Sequence, residues 1–489
     1  MASSAVNSTL ENRPQNIAVH WFRQDLRLAD NPALAEAVSS GQLLPIFILD
    51  EESENAVPLG GAARCWLHHS LQSLNEQLQG RLQLYRGKAE DILHRLCKRH
   101  SIASVHWNRC YEPWRIARDT QIKHSLKAMD VLVHSHNGSL LWEPWQVLKA
   151  DQTPYRVYTP YFNRGCMLHG PMPRHPVAQP EIREFAEDDF GGEALANLDL
   201  LPALPWHQTI MSHWQVSEDN AHQQLHAFLE HRLAEYKKGR DFPGQQAVSG
   251  LSPYLHWGQI SPHQIWHQLQ LWESEENLEH FKRELGWREF SYYQLYHFPE
   301  LPHTNLQTKF DHFPWLHNSP LLKLWQRGNT GYPLVDAGMR ELWQTGTMHN
   351  RVRMVVASFL VKNLNIHWSE GARWFQDCLL DADLASNSAN WQWVAGCGLD
   401  AAPYFRIFNP TTQGEKFDKR GEYTRDFVPE LAALPDKYLY KPWSAPAEIL
   451  ADAGVELGNH YPNPIVDLKV SREQALQHYQ AIRSLQSEV

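Results

Sequence analysis

The chain has 489 residues, enough for two or three domains with well-buried cores. Its formal net charge of −10 excludes a uniformly basic surface but not a local basic groove. The six cysteines form no CxxC pair and the 28 histidines no HExxH spacing, so the sequence predicts neither a metal site nor a disulfide framework. No apolar run reaches the roughly 20 residues of a membrane span, and residues 1–15 are too polar for a signal peptide. We therefore expect a cytoplasmic protein.

The first part of the chain alternates predicted strands with predicted helices. Short apolar runs predict strands at Ile17–Phe22, Leu43–Leu49, Leu82–Tyr85, Ile102–Trp107 and Val131–His134. Helices are predicted from about Ala62 to Gln79, from about Ala89 to Arg99, and after Pro113. This alternation predicts a Rossmann-like parallel sheet with right-handed crossovers. A charged loop, Arg23–Arg27, follows the first strand where a dinucleotide-binding protein would carry its glycine-rich turn.

Composition then divides the rest of the chain. Residues 136–215 are rich in proline and lose periodicity, which is typical of a long connecting segment, although Tyr155–Phe162 is too aromatic for a free linker. From residue 216 to the end the pattern is helical. The predicted organisation is a disordered tail (1–15), an α/β domain (16–135), a connector (136–215) and a larger all-α domain (216–489).

The polar residues that carry chemistry are concentrated in Gly346–Phe417, where arginines, acids, amides and tryptophans alternate with apolar residues. Asn350 and Met354 share one helix face, and Glu284 and Trp287 share a face of another helix. Ordinary packing or a solvated salt bridge would explain any single pair. The polar residues alternate with apolar ones, so many of them are expected to be buried and to need hydrogen-bond partners. A large ligand with polar and aromatic parts would provide those partners.

Three further motifs lie around this stretch. Ser249–Pro253 offers hydroxyl and N–H groups at a predicted helix start, a suitable cradle for phosphate. Tyr236–Pro243 is a basic cluster that a solvated surface would explain equally well. Gly396–Ala401 matches GxGxxA, but it follows a helical stretch rather than a strand, and we therefore do not interpret it as a Rossmann turn.

These motifs occur together and in order, and the sequence resembles the photolyase/cryptochrome family from Trp21–Arg27 to Pro462–Val466. Gly346–Arg351 and Trp393–Gly398 are most similar to class III cyclobutane pyrimidine dimer photolyases. The resemblance implies a deoxyribodipyrimidine photo-lyase that binds damaged DNA as a monomer. In that family, FAD bound in the helical domain is reduced, is excited by light, and donates an electron to a pyrimidine dimer flipped out of the duplex. The cyclobutane ring then splits and the electron returns.

The resemblance also implies roles for individual residues. The FAD pocket would consist of Tyr236, Val248, Ser249, Gly250, Leu251, Ser252, Phe281, Trp287, Arg288, Arg353, Asp381, Asp383 and Asn387. The dimer pocket would consist of Glu284, Trp287, Asn350, Met354 and Trp393. Electrons would reach the flavin along Trp391, Trp368 and Trp315, and DNA phosphates would be held by Arg240, Arg351, Arg406 and Lys416. Arg353 and Asp381 are expected to form a buried, mutually compensating ion pair. Val248 stands where many relatives have threonine, so the resemblance implies one hydroxyl contact to the cofactor fewer here.

The resemblance further implies a light-harvesting antenna in the N-terminal domain. The folate site of class I photolyases is not reproduced, because Trp114 and Arg115 occupy its asparagine and glutamate positions. Class III relatives bind methenyltetrahydrofolate by aromatic stacking, so we expect this folate on Trp114, with Glu143 bonding its ring nitrogens. An 8-hydroxy-5-deazaflavin is the alternative antenna, and Trp114 packing on a neighbouring helix is the alternative role for that residue.

Two other functions stay open at this point. A (6-4) photolyase would carry histidines at the positions of Asn350 and Met354, and one of them would transfer a proton. A cryptochrome-type light receptor would usually carry an acid at Asn387 and often a long tail, whereas about 30 residues follow Tyr461 here. Both comparisons favour repair of cyclobutane dimers.

Overall fold

The structure is a computed structural model that describes residues 16–272 and 275–484, so the predicted tail, residues 1–15, lies outside it. Five parallel strands form one sheet in the order β3-β2-β1-β4-β5. They are β1 (Ile17–Phe22), β2 (Gln42–Leu49), β3 (Gln83–Arg86), β4 (Ile102–Asn108) and β5 (Leu132–His136). Each predicted strand is confirmed, with ends shifted by at most two residues.

Helices cover both faces of this sheet: α1 (Pro32–Ser40), α2 (Gly61–Gln77), α3 (Ala89–Arg99) and α4 (Pro113–Lys127). Because side chains alternate along a strand, Val19, Ile46 and Val105 point to one face and pack with α3 and α4. Ala18 and Phe47 point to the other face and pack with α1 and α2. That second core continues without interruption into the helical domain.

The connector packs on both domains, as its aromatic residues predict. It contains a short helix, α5 (Tyr158–Pro160), which continues as a π-helix over Tyr161–Leu168. Tyr155, Tyr158, Tyr161 and Phe162 are all buried. Further along, the backbone of Glu184 and Ala186 exchanges hydrogen bonds with Leu43 of β2, at 3.0 and 2.9 Å. The connector therefore extends the N-terminal sheet while its aromatic part lies against the helical domain.

The remaining chain is helical. Its α-helices are α6 (Trp206–Met211), α7 (Glu218–His231), α8 (Tyr236–Gly239), α9 (Ser252–Trp257), α10 (Pro262–Leu269), α11 (Glu275–His297), α12 (Ser319–Gln326), α13 (Pro333–Thr345), α14 (Asn350–Ser358), α15 (Trp368–Cys378), α16 (Leu384–Ala395), α17 (Pro410–Phe417), α18 (Glu422–Phe427), α19 (Asp436–Leu439), α20 (Ala447–Asp452) and α21 (Leu468–Ser484). Gly396, with φ +85°, ends α16, which confirms that GxGxxA is not a Rossmann turn here. Over the described ranges, no helix combines the length and apolarity needed to cross a membrane. The six cysteines are free thiols.

A buried arginine joins the three parts of the chain. Arg27, in the charged loop after β1, is fully buried and donates hydrogen bonds to the carbonyl oxygens of Asp30, Gly138 and Gly258, each at 2.7 Å. The Asp30 carboxylate accepts hydrogen bonds from Ser261 of the helical domain and from the Val177 N–H of the connector. The charged loop thus connects the α/β domain, the connector and the helical domain.

We predict that Arg27→Ala lowers the free energy of unfolding by about 3–5 kcal/mol, because it leaves buried carbonyl oxygens and Asp30 without their partner. Arg27→Lys should recover only part of this loss, since a lysine cannot reproduce the fixed fork of guanidinium donors. Chemical or thermal unfolding of the variants measures the effect. Arg183→Ala is the control, because Arg183 forms an exposed pair with Glu181. Equal stability of Arg27→Ala and Arg183→Ala would contradict the role of Arg27.

Candidate active site

The helical domain encloses a cavity of about 1250 Å³. All residues that the sequence predicts for the FAD pocket and for the dimer pocket line it. Its volume exceeds the roughly 300–1,000 Å³ of an ordinary small-molecule site. One cavity is therefore large enough for a dinucleotide-sized group together with a second ligand.

The predicted phosphate cradle is a fixed turn in the cavity wall. Helix α9 begins at Ser252, as predicted, and the turn before it has φ +67° at Gly250, a conformation that favours glycine. Gln224 of α7 donates a hydrogen bond to the Ser249 carbonyl at 2.6 Å. A Cβ at Gly250 would approach the Gln224 amide nitrogen to 2.8 Å. Gly250 is thus required for both the conformation and the packing of the turn.

Arg353 and Asp381 come together, but less tightly than expected. The shortest distance between the guanidinium and the carboxylate is 3.9 Å, and Arg353 Nε donates instead to the Met348 carbonyl at 2.7 Å. The compensating pair that the sequence predicts is therefore a loose contact. Asp381 Oδ1 is buried, and within the described residues it accepts no hydrogen bond. A buried carboxylate oxygen without a donor fits a ligand that brings its own N–H or O–H group.

Asp383, two residues further, has its partners within the protein. It caps α16 by accepting a hydrogen bond from the Ser386 N–H at 2.6 Å, and it also accepts one from the Tyr292 hydroxyl. His256 Nδ1 lies 3.5 Å from its second oxygen. Burial alone raises the pKa of Asp383, but His256 and these hydrogen bonds outweigh it and hold the pKa at about 2. Asp383 is thus a permanent negative charge in the cavity wall.

The predicted dimer pocket gathers residues from three helices: Glu284 and Trp287 of α11, Asn350 and Met354 of α14, and Trp393 of α16. Two contacts of these residues were not predicted from the sequence: one made by Glu284 and one made by Trp287. Arg240 forms an ion pair with Glu284, and its side chain is only 13% exposed, so it lies in the cavity wall rather than at an outer rim. Tyr158 of the connector stacks on Trp287 with ring centres 3.8 Å apart. The aromatic run around Tyr158 was the available signal for the second partner.

Two of the other three predicted phosphate-binding cations lie near one aromatic ring. Arg351 and Lys416 sit over Phe417, at 4.4 and 4.8 Å from the ring centre. Arg351 is also paired with Asp241 at 2.7 Å, whereas Lys416 and Arg406 are exposed. This arrangement places positive charge outside the cavity in a protein whose net charge is negative.

The three tryptophans of the predicted electron chain occupy neighbouring elements. Trp391 is buried and lines the cavity. It packs closely against Gly371, because a Cβ added at position 371 would lie 2.1 Å from the indole ring of Trp391. Gly371 belongs to α15, the helix that begins at Trp368. His367 then lies between Trp368 and Trp315, with ring centres 5.2 and 5.1 Å away.

The predicted antenna residues lie outside the cavity lining. Arg118 covers the Trp114 ring, at 4.9 Å from its centre. Glu143 is buried, and its two oxygens accept hydrogen bonds from Arg109 and from the Tyr111 hydroxyl. Glu143 therefore already has partners within the protein.

Comparison with known proteins relates this chain to one protein family. The family model described as the FAD binding domain of DNA photolyase matches residues 281–481, and the model described as DNA photolyase matches residues 18–181. The chain is 48% identical to a deoxyribodipyrimidine photo-lyase of Agrobacterium fabrum, covering 95% of this chain and 97% of that protein. It is 37% identical to cryptochrome-2 of Arabidopsis thaliana, covering 93% of this chain and 77% of that protein.

The fold comparison agrees with these matches. The crystal structure of a class III photolyase from Agrobacterium tumefaciens superposes with a TM-score of 0.93 at 46% identity. The alignment covers 98% of this chain and 100% of that chain. The predicted fold class, an α/β domain followed by a larger helical domain, is confirmed by this match and by the strand and helix order.

Proposed function

The chain belongs to the photolyase/cryptochrome family, with a match to the FAD-binding domain of DNA photolyase over residues 281–481. From this membership, we propose that it is a photolyase that repairs cyclobutane pyrimidine dimers in DNA by light-driven electron transfer. The observation that carries this proposal is the single cavity, in which the residues suited to FAD and those suited to a flipped dimer share one space. Electron transfer needs such proximity, so a shared cavity supports the proposal.

Bound FAD, when reduced and excited by light, supplies the electron that opens the cyclobutane ring. Arg353 and Asp381 both line the cavity, and Asp381 Oδ1 has no hydrogen-bond donor among the described residues. These two side chains would hold the polar ring system of FAD. The turn Val248–Ser252 would hold the pyrophosphate through its hydroxyl and backbone groups. Val248 contributes no side-chain hydroxyl, so Ser249 and Ser252 carry this contact.

The dimer needs apolar walls and hydrogen bonds to its carbonyl and N–H edges, because it has lost its aromaticity and has left the duplex. Trp287 and Trp393 form the walls, and Met354 adapts to the remaining space. Trp287 is held in position by the Tyr158 ring stacked on it. Glu284 accepts from the N–H edge of the dimer, and Asn350 both donates and accepts.

For Arg240, which the sequence predicts as a phosphate-binding residue, we propose a role inside the cavity. Its ion pair with Glu284 keeps a positive charge beside the dimer pocket. When the dimer gains an electron, this guanidinium stabilises the new negative charge without any rearrangement, since it is already in position. Arg351, Arg406 and Lys416 are then the residues proposed to hold the phosphates on either side of the flipped lesion.

Specific residues favour cyclobutane dimers over the (6-4) photoproduct. Asn350 and Met354 cannot transfer a proton. His349 also lines the cavity, but its Nδ1 accepts the Arg351 N–H at 3.2 Å and thereby caps α14. Burial lowers the pKa of His349 to about 4, so it stays neutral near pH 7 and is a poor proton donor.

A cryptochrome-type receptor is the second alternative. Asn387 is a neutral amide whose nitrogen donates to the Ala372 carbonyl at 2.9 Å, so it cannot exchange a proton as an acid would at this position. This side chain favours repair over light signalling.

The test is light-dependent loss of cyclobutane dimers from an irradiated oligonucleotide by the purified, flavin-loaded protein. We expect repair only under blue or near-ultraviolet light with reduced flavin. Glu284→Ala should lower the repair yield by up to about tenfold, the equivalent of roughly 1.4 kcal/mol of charge stabilisation, while affinity for damaged DNA changes less. The reason is that this substitution removes both a contact to the dimer and the partner that positions Arg240.

Glu279→Ala is the matched control for this experiment. Glu279 lies on the same helix and pairs with Lys282, but it is half-exposed and does not line the cavity. A Glu284→Ala protein with normal repair yield and greatly weakened DNA binding would make Glu284 a binding residue only. Absence of repair by the wild-type protein in light would remove the proposed function.

Trp391→Phe should block photoreduction of oxidised flavin while leaving repair by chemically reduced protein nearly intact. Phenylalanine preserves much of the packing against Gly371 but is far harder to oxidise than tryptophan. Absorption spectra recorded during illumination with an external electron donor measure photoreduction. Trp107→Phe is the control, because Trp107 is equally buried but lies in β4 of the N-terminal domain. Equal photoreduction in wild type and Trp391→Phe would exclude Trp391 from the electron path.

We also propose a methenyltetrahydrofolate antenna stacked on Trp114, with 8-hydroxy-5-deazaflavin as the alternative. Protein purified from a folate-replete host should show a near-ultraviolet band beyond that of flavin, and Trp114→Ala should lose it. Glu143→Gln should keep the band, because Arg109 and Tyr111 already occupy the Glu143 carboxylate. A band that persists in Trp114→Ala would contradict this site, and a band at the longer wavelength of a deazaflavin would identify the alternative antenna.

A further inference from the structure

Four side chains that the repair reaction does not use converge on one face of the N-terminal sheet. His106 of β4 is paired in register with His134 of β5, and His136 follows two residues later on the same face. Helix α1 covers this face and directs Glu36 towards the three imidazoles. Three histidines and one carboxylate, drawn from three elements, thus surround one point at the edge of the sheet.

The geometry points to a divalent metal site here, and we propose that Glu36, His106 and His136 bind Zn²⁺. One ligand atom from each of these residues lies within 4.8 Å of the others. Imidazole nitrogen and carboxylate oxygen are typical zinc ligands, and small side-chain rotations would bring them to the roughly 2.0–2.2 Å that zinc requires. Three protein ligands leave a fourth position, which the partly exposed side chains of Glu36 and His136 open to water.

The hydrogen bonding of these groups supports the proposal. Glu36 Oε2, His106 Nδ1 and His136 Nε2 are buried atoms, and none of them makes a hydrogen bond to the described residues. Glu36 and His136 are in contact, but without hydrogen-bond geometry. His106 is only 1% exposed, so water cannot readily satisfy its Nδ1. The nearest polar groups of these atoms are one another, because His106 Nδ1 lies 3.5 Å from Glu36 Oε2 and His136 Nε2 contacts the same oxygen. A cation between them would satisfy all three at once.

Residues around the proposed ligands hold them in position, as residues that contact the ligands but not the ion do in known metal sites. The Ser104 hydroxyl lies 2.8 Å from His106 Nε2, which leaves Nδ1 directed towards Glu36. His134 stacks on His106, with ring centres 5.0 Å apart, and its Nδ1 lies 3.2 Å from Glu36 Oε1. His134 therefore lies beside Oε1, the carboxylate oxygen that does not face the proposed ion. A bound ion would fasten α1 to β5, the edge strand of the sheet.

The sequence predicted no metal site, because it contains neither a CxxC nor an HExxH spacing. Those spacings describe ligands that lie close together in the chain. Here Glu36, His106 and His136 are separated by tens of residues, and only the pairing of β4 with β5 under α1 unites them. The signal in the sequence is the repeated Val-His at the same place in neighbouring strands, Val105-His106 and Val133-His134.

Full-length, flavin-loaded protein, freed of metal with EDTA, is titrated with ZnCl₂ by calorimetry. We expect one Zn²⁺ per chain and a higher melting temperature with Zn²⁺. His136→Ala and Glu36→Gln should each weaken Zn²⁺ binding by about tenfold or more, since loss of even an outer partner costs about 10–100-fold. Glu36→Gln keeps the shape of the side chain but removes its charge, so it is the deciding variant if His136→Ala folds poorly.

His231→Ala is the matched control, because it disrupts an exposed group of His226, Glu230 and His231 on α7. It should leave Zn²⁺ affinity unchanged, and circular dichroism and flavin content should match the wild type in all variants. No stoichiometric uptake, or equal affinity in Glu36→Gln and wild type, would overturn the proposal. Loss of binding in His231→Ala alone would identify adventitious surface binding and would also overturn it.

Discussion

The hydrogen bonds of Arg27 are the constraint on which the active site depends. Arg27 donates to the carbonyl oxygen of Gly258, the residue that caps the C-terminal end of α9. The turn at the other end of α9 forms part of the cavity wall. The loop after β1 approaches so closely that a Cβ at Gly258 would lie 2.1 Å from the Gln24 carbonyl oxygen. The Leu26 N–H also bonds to the Trp257 carbonyl at 3.0 Å. The α/β domain therefore fixes the position of a helix that lines the cavity, although its own residues line none of it.

Within the cavity the charged groups divide into those that the protein satisfies and those that it leaves open. Asp383 accepts hydrogen bonds from Tyr292 and Ser386, and Glu284 is paired with Arg240. Asp381 Oδ1, by contrast, has no donor among the described residues. A satisfied carboxylate keeps its orientation and charge whatever binds, whereas an unsatisfied one gains stability only when a ligand donates to it. This division fits a site in which the wall is fixed in advance and the cofactor completes the hydrogen bonding.

The connector contributes to function as well as to architecture. Tyr158 stacks on Trp287, and its backbone N–H donates to the Asp400 carboxylate at 2.8 Å. Because Trp287 is one wall of the proposed dimer pocket, the connector fixes the position of that wall from outside the helical domain. A substitution in the connector can therefore disturb the pocket without touching any ligand.

The sequence by itself determined the features that depend on local pattern. Short apolar runs located β1 to β5, and the start of α9 was read from Ser249–Pro253. The long motif Gly346–Phe417 carried the family resemblance, and that resemblance implied the cavity-lining residues. These signals lie within short stretches of chain, where backbone geometry decides which side chains share a face.

Only the tertiary structure decided which distant charges meet. It paired Arg240 with Glu284 inside the cavity, loosened the contact of Arg353 with Asp381 to 3.9 Å, and brought Glu36 to His106. Such pairs join elements that are far apart in the chain, and their distances follow from how helices and strands pack against one another. An ion pair between two distant residues produces no periodic pattern in the sequence. The partner of each charged residue can therefore be identified only from the packed structure.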